Sequence, residues 1–264
     1  MQRMDLITCF HDTLAISNGA ELLADTEAAI QSNRVYHEGF RTGARPTAAD
    51  GEITLIEKST FAAARDLVSY GRTAVLNFAN PVEPGGGVTR GAMAQEECLC
   101  RSSNLYPCLT AENVQKEYYS YHEAQGGNWF SDRLIYTKGI TVFKDDQTIP
   151  QMRDKADWFK VDVITSAAPY LRGVRDPDPV KVKRVFKDRI QNILEAAVDN
   201  GVMVLVLGAF GCGAFGNPPE IVAQTFRETI DEGNYIHKIS QIVFAFKKPI
   251  EGHSKNYPLF QKWF

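Results

Sequence analysis

The chain has 264 residues, of which 44% are hydrophobic and 23% are charged, and its formal net charge at pH 7 is −3. Such a composition is typical of a globular protein with a sizeable core and argues against global disorder. Without a basic field, the chain is not expected to bind duplex DNA strongly and nonspecifically, because that binding depends on many lysine and arginine contacts to phosphate.

The cysteines and histidines do not indicate a metal site or a disulfide framework. No two of the five cysteines form a CxxC pair, and the five histidines show neither HxxxH nor HxH spacing. Met1–Phe10 contains charged residues and lacks the apolar run of a signal peptide, and the longest apolar run, Val202–Phe210, is too short to span a bilayer. We therefore expect a cytoplasmic protein, outside the membrane, that requires neither a metal nor a cofactor.

The hydrophobic pattern predicts a helix over residues 17–33, followed by a stretch rich in Gly, Arg and Pro from Tyr36 to Gly51. That stretch is the predicted boundary between an N-terminal accessory segment, 1–50, and a main domain, 51–264. In the main domain, strands are predicted at Ile53–Ile56, Ala74–Ala79, Leu134–Tyr136, Thr141–Lys144, Lys160–Ala167, Val202–Leu207 and Gln241–Phe246. Helices are predicted at Ser59–Tyr70, Met93–Asn104, Ala111–His122, Pro179–Asp199 and Pro218–Asp231. The aromatic tail Tyr257–Phe264 is expected to dock against the domain.

Continuous apolar strands separated by helices predict an α/β fold with a largely parallel sheet that is covered on both faces. Ligands of such sheets bind beyond the carboxyl ends of the strands. Two of these strand ends carry unusual loops, and both loops indicate a binding site.

The glycine-rich loop Gly208–Asn217 follows the buried strand Val202–Leu207. Glycines in such a loop let backbone N–H groups approach an anion, and the N-terminus of the next helix adds partial positive charge. Asn217 is a predicted N-cap, with Pro218 and Pro219 in the first helical turn. The loop therefore predicts a bound phosphate or diphosphate, although it lacks the Lys-Ser/Thr of a P-loop.

The segment Gly211–Gly216 also satisfies the dinucleotide fingerprint GxGxxG. That fingerprint requires a following strand that ends in an acidic residue, whereas the next strand here is the last one and ends in Phe246-Lys247-Lys248. The match supports diphosphate binding more than nicotinamide chemistry.

Three consecutive glycines, Gly85, Gly86 and Gly87, precede two adjacent glutamates, Glu96 and Glu97. Each glycine costs backbone entropy on ordering, which suggests that the loop is reserved for close approach to a ligand. Acidic residues favour the first helical turn because of the helix dipole, but beside this loop the pair indicates a functional role. Because adjacent helical residues point about 100° apart, at most one carboxylate is expected to face a substrate squarely.

The combination of GGG, seven intervening residues and Gln95-Glu96-Glu97 resembles the signature of poly(ADP-ribose) glycohydrolases. The segments AQEECLCRSSNLY, VDVITSAAP and GAFGCGAFGN resemble the bacterial-type branch of that family, and the resemblance extends from about Leu22 to the final strand. It implies a macrodomain-like fold, a mixed and largely parallel sheet sandwiched by helices, with an N-terminal helical extension. It also implies ADP-ribose as the ligand and ADP-ribosylated protein or nucleic acid as the substrate.

The same resemblance implies roles for individual residues. Glu97 would be the catalytic acid, which first protonates the leaving oxygen and then activates water, while Glu96 would orient the terminal ribose. Asn80 would hydrogen-bond the distal ribose, and Phe215 would pack over the sugar. Gly85, Gly86 and Gly87 would cradle the ribose and its phosphate, and Gln95 is a further implied ligand contact. The implied diphosphate contacts are Gly211, Cys212, Gly213, Ala214 and Gly216. Family members often carry AAPN where this chain has Ala167-Ala168-Pro169-Tyr170.

Three alternatives remain open at the level of sequence. The first is a hydrolase that removes ADP-ribose from another acceptor, such as a DNA base or an amino-acid side chain. The second is a module that binds ADP-ribose without cleaving it, although a carboxylate such as Glu97 has no evident use there. The third is a Rossmann-type oxidoreductase, which the position of GxGxxG disfavours.

Overall fold

The structure is a computed structural model, and it describes residues 2–43, 50–248 and 254–264. Its strands are β1 Arg34–Tyr36, β2 Glu52–Ile56, β3 Thr73–Phe78, β4 Leu134–Val142, β5 Phe159–Ser166, β6 Val204–Leu207 and β7 Gln241–Ala245. Its helices are α1 Gln2–Ser17, α2 Leu23–Gln31, α3 Thr60–Leu67, α4 Gln95–Ser102, α5 Leu105–Leu109, α6 Glu112–Val114, α7 Ser120–Gln125, α8 Pro179–Asp199, α9 Pro219–Glu232 and α10 Tyr257–Gln261.

The described strands form one sheet in the order β1-β4-β5-β3-β6-β7-β2. The pairs β1–β4 and β4–β5 are antiparallel, and the remaining pairs are parallel. The predicted mixed, largely parallel sheet is therefore confirmed. The parallel strands β5, β3, β6, β7 and β2 have their carboxyl ends at one edge, and the glycine-rich loops follow β3 and β6 there.

Alternation along β3 shows how helices cover both faces of the sheet. Neighbouring strand residues point to opposite faces. Ala74 and Leu76 pack in the core cluster with buried residues of α8 and α9, whereas Val75 packs in the cluster with residues of α3, α4 and α5. Every one of these three side chains is fully buried, which explains why the strand reads as a continuous apolar run.

The N-terminal part of the chain differs from the sequence-based expectation. The predicted helix over 17–33 begins only at Leu23, and α1, which was not predicted, precedes it. The apolar residues of α1 are spread around the helix and not gathered on one face, so the sequence lacks the usual amphipathic signal. The strand β1 was missed because three residues are too few for a period-2 pattern.

The division into segments 1–50 and 51–264 stays a prediction, and residues 44–49 of its linker lie outside the described residues. Strand β1, from the first segment, is the edge strand beside β4. The two strands predicted at Leu134–Tyr136 and Thr141–Lys144 form the single strand β4, whose register shifts between Thr137 and Ile140. The shift interrupts the apolar pattern, which is why the sequence suggested two strands.

The C-terminal tail docks as expected. Phe260 of α10 is fully buried, and its ring lies 5.6 Å from that of Phe244 on β7. Across the described ranges, no helix combines the length and the apolar character that a membrane crossing requires.

Candidate active site

A cavity of about 450 Å³ lies beyond the carboxyl ends of β3, β6 and β7. It is the edge of the sheet at which α/β proteins bind their ligands. The sequence-predicted residues that line it are Asn80, Gly86, Gln95, Glu96, Glu97, Gly211, Gly213, Ala214 and Phe215. Gly85, Gly87, Cys212 and Gly216 belong to the same two loops but do not line the cavity.

Gln95 fixes the start of α4 to the end of β3. Its side-chain oxygen accepts a hydrogen bond from the Phe78 N–H at 2.9 Å, and its nitrogen donates to the Leu76 carbonyl at 2.7 Å. These bonds pair backbone groups of β3 near the end of the strand. They therefore place the next two residues, Glu96 and Glu97, directly at the cavity. The direct ligand contact expected of Gln95 stays a prediction.

Glu96 is a buried carboxyl held by the chain that follows β3. Its Oε2 accepts a hydrogen bond from the Asn80 N–H at 2.7 Å, and its Oε1 lies 3.4 Å from the Asn77 side-chain nitrogen. Burial raises the pKa of Glu96 to about 8, and the nearby Glu97 carboxyl raises it further, while the bond from Asn80 acts in the opposite direction. Burial therefore favours the protonated form of Glu96, which can donate a hydrogen bond to a ligand hydroxyl.

Glu97 is also buried, and one of its oxygens is held by the triple-glycine loop. Oε1 accepts a hydrogen bond from the Gly87 N–H at 2.9 Å. Oε2 is buried and has no hydrogen-bond partner among the described residues. The backbone thus orients the carboxyl and leaves one oxygen uncommitted, as a group that exchanges protons with a substrate requires.

The two carboxyls converge on Gly86, although adjacent helical residues point about 100° apart. A Cβ built on Gly86 would lie 2.6 Å from Glu97 Oε1 and 3.1 Å from Glu96 Oε2. The Cα–Cβ directions of the two residues diverge as a helix requires, but the long glutamate side chains bend back to the same loop. Gly86 also has φ of +57°, so both its space and its backbone favour glycine.

The loop after β6 contributes to the cavity lining several residues whose backbone donors are uncommitted. The N–H groups of Gly211, Gly213, Ala214 and Phe215 have no acceptor within the described ranges, and all four residues line the cavity. Successive N–H groups of this kind form an anion-binding concavity. The structure therefore has the donor set expected for a diphosphate.

The predicted N-cap role of Asn217 is wrong. Its side-chain nitrogen donates to the carbonyls of Pro169, at 2.7 Å, and Gly211, at 3.0 Å, and α9 has no side-chain cap. The helix begins one residue later than predicted, at Pro219 with Pro218 at the N-cap position, so Asn217 lies outside it. Asn217 instead ties the loop after β6 to the loop after β5.

Cys212 and Tyr170 do not contact the cavity directly. The Cys212 Sγ lies 3.6 Å from the Phe210 carbonyl, and burial raises the pKa of its thiol, so the group is not an activated nucleophile. Tyr170, which stands where relatives often have asparagine, packs edge-on against Phe215 with ring centroids 5.3 Å apart. It therefore supports the residue expected to cover the sugar.

Two parts of the site escaped sequence analysis. Asn77, inside β3, contacts Glu96 from behind, and its only signal was a polar residue within an apolar strand. The cavity also extends to a far arm, which we define by Ser59, Phe246, Lys247 and Asn256. These residues come from distant parts of the chain, so no local motif could have indicated them.

Comparisons with known proteins agree with this geometry. The family described as microbial-type PARG, catalytic domain, matches residues 5–145. The chain is 32% identical to the poly(ADP-ribose) glycohydrolase of Thermomonospora curvata, over 99% of this chain and 100% of that one, with a TM-score of 0.87. It is 30% identical to the glycohydrolase of Deinococcus radiodurans solved with ADP-ribose, over 90% and 96% of the two chains, with a TM-score of 0.76.

A more distant relative is an uncharacterised protein of Thermococcus kodakarensis, 27% identical over 63% of this chain and 79% of its own length. The fold expected from the family resemblance is confirmed by the two solved structures. A Rossmann-type oxidoreductase is excluded by the same matches. This chain belongs to the microbial-type poly(ADP-ribose) glycohydrolase family.

Proposed function

We propose that this enzyme hydrolyses the ribose–ribose O-glycosidic bonds of poly(ADP-ribose) and releases ADP-ribose, with Glu97 as its general acid and base. The observation that carries this proposal is the pairing, in one cavity, of two buried carboxyls with a loop of four uncommitted backbone donors. A carboxyl pair suits glycosidic cleavage, and free backbone donors suit the diphosphate of the ligand.

The ligand is proposed to span the cavity with its terminal ribose at Glu96 and Glu97. The diphosphate would accept hydrogen bonds from the loop 211–215, and the adenosine would occupy the far arm. Asn80 supports the ribose assignment, because its Oδ1 is engaged by the N–H groups of Val82 and Glu83. Its Nδ2 has no partner in the part of the chain that the structure describes, and so is available to a sugar hydroxyl.

Cleavage needs a proton for the leaving oxygen and a base for the incoming water. Glu97 would donate its proton to the 2′ oxygen of the departing ribose as the bond from that oxygen to C1″ breaks. The resulting carboxylate would take a proton from water as the water oxygen bonds to C1″. The products are ADP-ribose and the shortened polymer, and Glu97 regains its proton. Glu96 would position the ribose by hydrogen bonding to the ribose hydroxyls.

The acceptor is tested by offering the purified enzyme a matched set of substrates. These are poly(ADP-ribose), protein carrying single ADP-ribosyl groups, and DNA ADP-ribosylated on its bases, with free ADP-ribose quantified for each. We expect release from the polymer at a rate at least tenfold above that from the other two. Faster release from modified protein or DNA would assign the enzyme to that acceptor instead, and binding of ADP-ribose without any release would make the protein a reader.

The expected cytoplasmic location is likewise a proposal. The described structure leaves all five cysteines unbridged, which suits a reducing compartment. Fractionation of cells that express the protein at its natural level would test it.

A further inference from the structure

Arg90 places a cationic side chain near the Glu97 carboxyl. The proposed mechanism gives Arg90 no role. A Cβ built on Gly87 would lie 3.6 Å from Arg90 Nη2 and 3.7 Å from Glu97 Oε1. The Gly87 N–H donates to that same Glu97 oxygen. Arg90 and Glu97 therefore both lie next to Gly87, which brings the guanidinium close to the Glu97 carboxyl.

Arg90 is exposed and is paired with the opposite end of the same loop. Its guanidinium donates from both terminal nitrogens to the two carboxylate oxygens of Glu83, with Nη2 and Oε2 2.7 Å apart. The side chains of Arg90 and Glu83 are 56% and 38% exposed. An ion pair so open to water is weak, so a more highly charged anion can share the guanidinium or displace Glu83.

A second arginine lies against this position. Arg3 of α1 donates from Nε to the Arg90 carbonyl at 2.7 Å, and its own side chain is exposed. Its backbone carbonyl would lie 2.7 Å from a Cβ on Gly91, so α1 packs directly on the end of the triple-glycine loop. The charged residues around this loop are thus Arg3, Arg90, Glu83 and Glu97.

We propose that Arg90, assisted by Arg3, forms an acceptor-side subsite for the diphosphate of the penultimate ADP-ribose unit of the polymer. This inference rests on the proposed function, and it names a feature that would make the enzyme prefer polymer to acceptors without phosphate. In this proposal the released ADP-ribose extends from Glu97 toward the loop 211–215, and the departing unit leaves past Gly87, next to which Arg90 lies.

The chemistry of the polymer fits this position. The leaving 2′ oxygen must lie within hydrogen-bond reach of Glu97, and the 5′ diphosphate of the same unit follows after only a few bonds. A guanidinium offers several donors in a planar fork, which matches a phosphate group and strengthens its hydrogen bonds through charge. An amino-acid acceptor without a phosphate would gain nothing from Arg90.

The test compares two substrates that share the ADP-ribosyl group. One is poly(ADP-ribose), and the other is the C1″ 4-nitrophenyl glycoside of ADP-ribose, whose leaving group carries no phosphate. We expect Arg90→Gln to lower kcat/KM for the polymer roughly tenfold, the size of a lost charge-assisted hydrogen bond, and to change that for the glycoside by less than about twofold.

Glu83→Gln is the matched control, because it breaks the same ion pair but keeps the cation. We expect it to leave kcat/KM for the polymer unchanged or raised. The salt dependence gives a second readout, since a lost phosphate contact should reduce the slope of log kcat/KM against log salt by about one.

Equal slowing of both substrates by Arg90→Gln and Glu83→Gln would show that the ion pair only supports the loop, and the subsite would be rejected. Wild-type polymer kinetics in Arg90→Gln would reject it as well. Cleavage of the glycoside without any cleavage of the polymer by the wild-type enzyme would overturn the proposed substrate, and the subsite with it.

Discussion

The positions of the two carboxyls depend directly on Gly86, because this residue has no side chain to fill the space that they occupy. The three consecutive glycines predicted a close approach to a ligand, and the family resemblance implied ADP-ribose as that ligand. The structure adds a second reason, because both glutamate carboxyls already occupy the space of a Cβ at Gly86. Side-chain convergence of this kind depends on rotamers, which neither composition nor spacing reports.

Replacing Gly86 by alanine should displace both carboxyls. We expect Gly86→Ala to lower kcat for polymer hydrolysis roughly 10²-fold, the usual cost of a misplaced catalytic group. The matched control is Gly127→Ala, since Gly127 also has a positive φ of +73° but faces open space. Both variants carry similar backbone strain, so comparable losses of activity in the two would show that the carboxyls do not depend on Gly86.

The raised pKa of Glu96 makes the stability of the fold depend on pH. Between pH 4.5, its ordinary value, and about 8, the folded state binds this proton more tightly than the unfolded state. The stabilisation is complete below about 4.5 and is lost as the pH rises through about 8. We compare the free energy of unfolding of Glu96→Gln with that of wild type. We expect this difference to favour Glu96→Gln more near pH 8 than near pH 5, by on the order of a few kcal/mol.

This is measured by urea denaturation of both proteins across that pH range, with Glu83→Gln, an exposed carboxyl, as the control. If the free-energy difference between wild type and Glu96→Gln stayed constant with pH, Glu96 would not retain its proton in the folded state.

Among the elements, α1 was absent from the sequence-based expectation and yet packs on the helix that carries both glutamates. Thr13 of α1 is buried, and its hydroxyl lies 2.7 Å from the Arg101 carbonyl in α4 and 2.9 Å from the Cys9 carbonyl in its own helix. The buried Lys144 also donates to Asp12 of α1 at 2.6 Å. Contacts between distant parts of the chain hold this helix in place, so its local sequence carried little amphipathic signal.

Removing the Thr13 hydroxyl should loosen this contact. We expect Thr13→Val to lower the free energy of unfolding by about 1–3 kcal/mol, because the buried Arg101 carbonyl loses its donor. Thr225→Val should cost less, because among the described residues the Thr225 hydroxyl donates to a carbonyl of its own helix, that of Ile221 in α9. Thermal or urea unfolding of both variants decides the matter, and an equal or larger loss in Thr225→Val would contradict a special role for the α1–α4 contact.

At the scale of the whole molecule, the sequence was sufficient to predict the layered sheet and the two loops at its edge. Buried parallel strands are continuous apolar runs, and a glycine-rich loop next to them is visible without a structure. The far arm of the cavity was not predictable, because Ser59 and Phe246 meet only when β2 and β7 pair. The contact between Arg90 and Glu83 was not predictable either, because their side chains meet only through the turn of the triple-glycine loop.

The most direct test of the central claim is the activity of Glu97→Gln on poly(ADP-ribose), measured together with its affinity for ADP-ribose. Glutamine keeps an oxygen for the Gly87 N–H but has no proton to donate as an acid and cannot act as the base. We expect polymer hydrolysis to fall by roughly 10²- to 10⁴-fold while the Kd for ADP-ribose changes by less than about threefold. Hydrolysis at a near wild-type rate by a correctly folded Glu97→Gln variant would contradict the assignment of Glu97 as the catalytic acid.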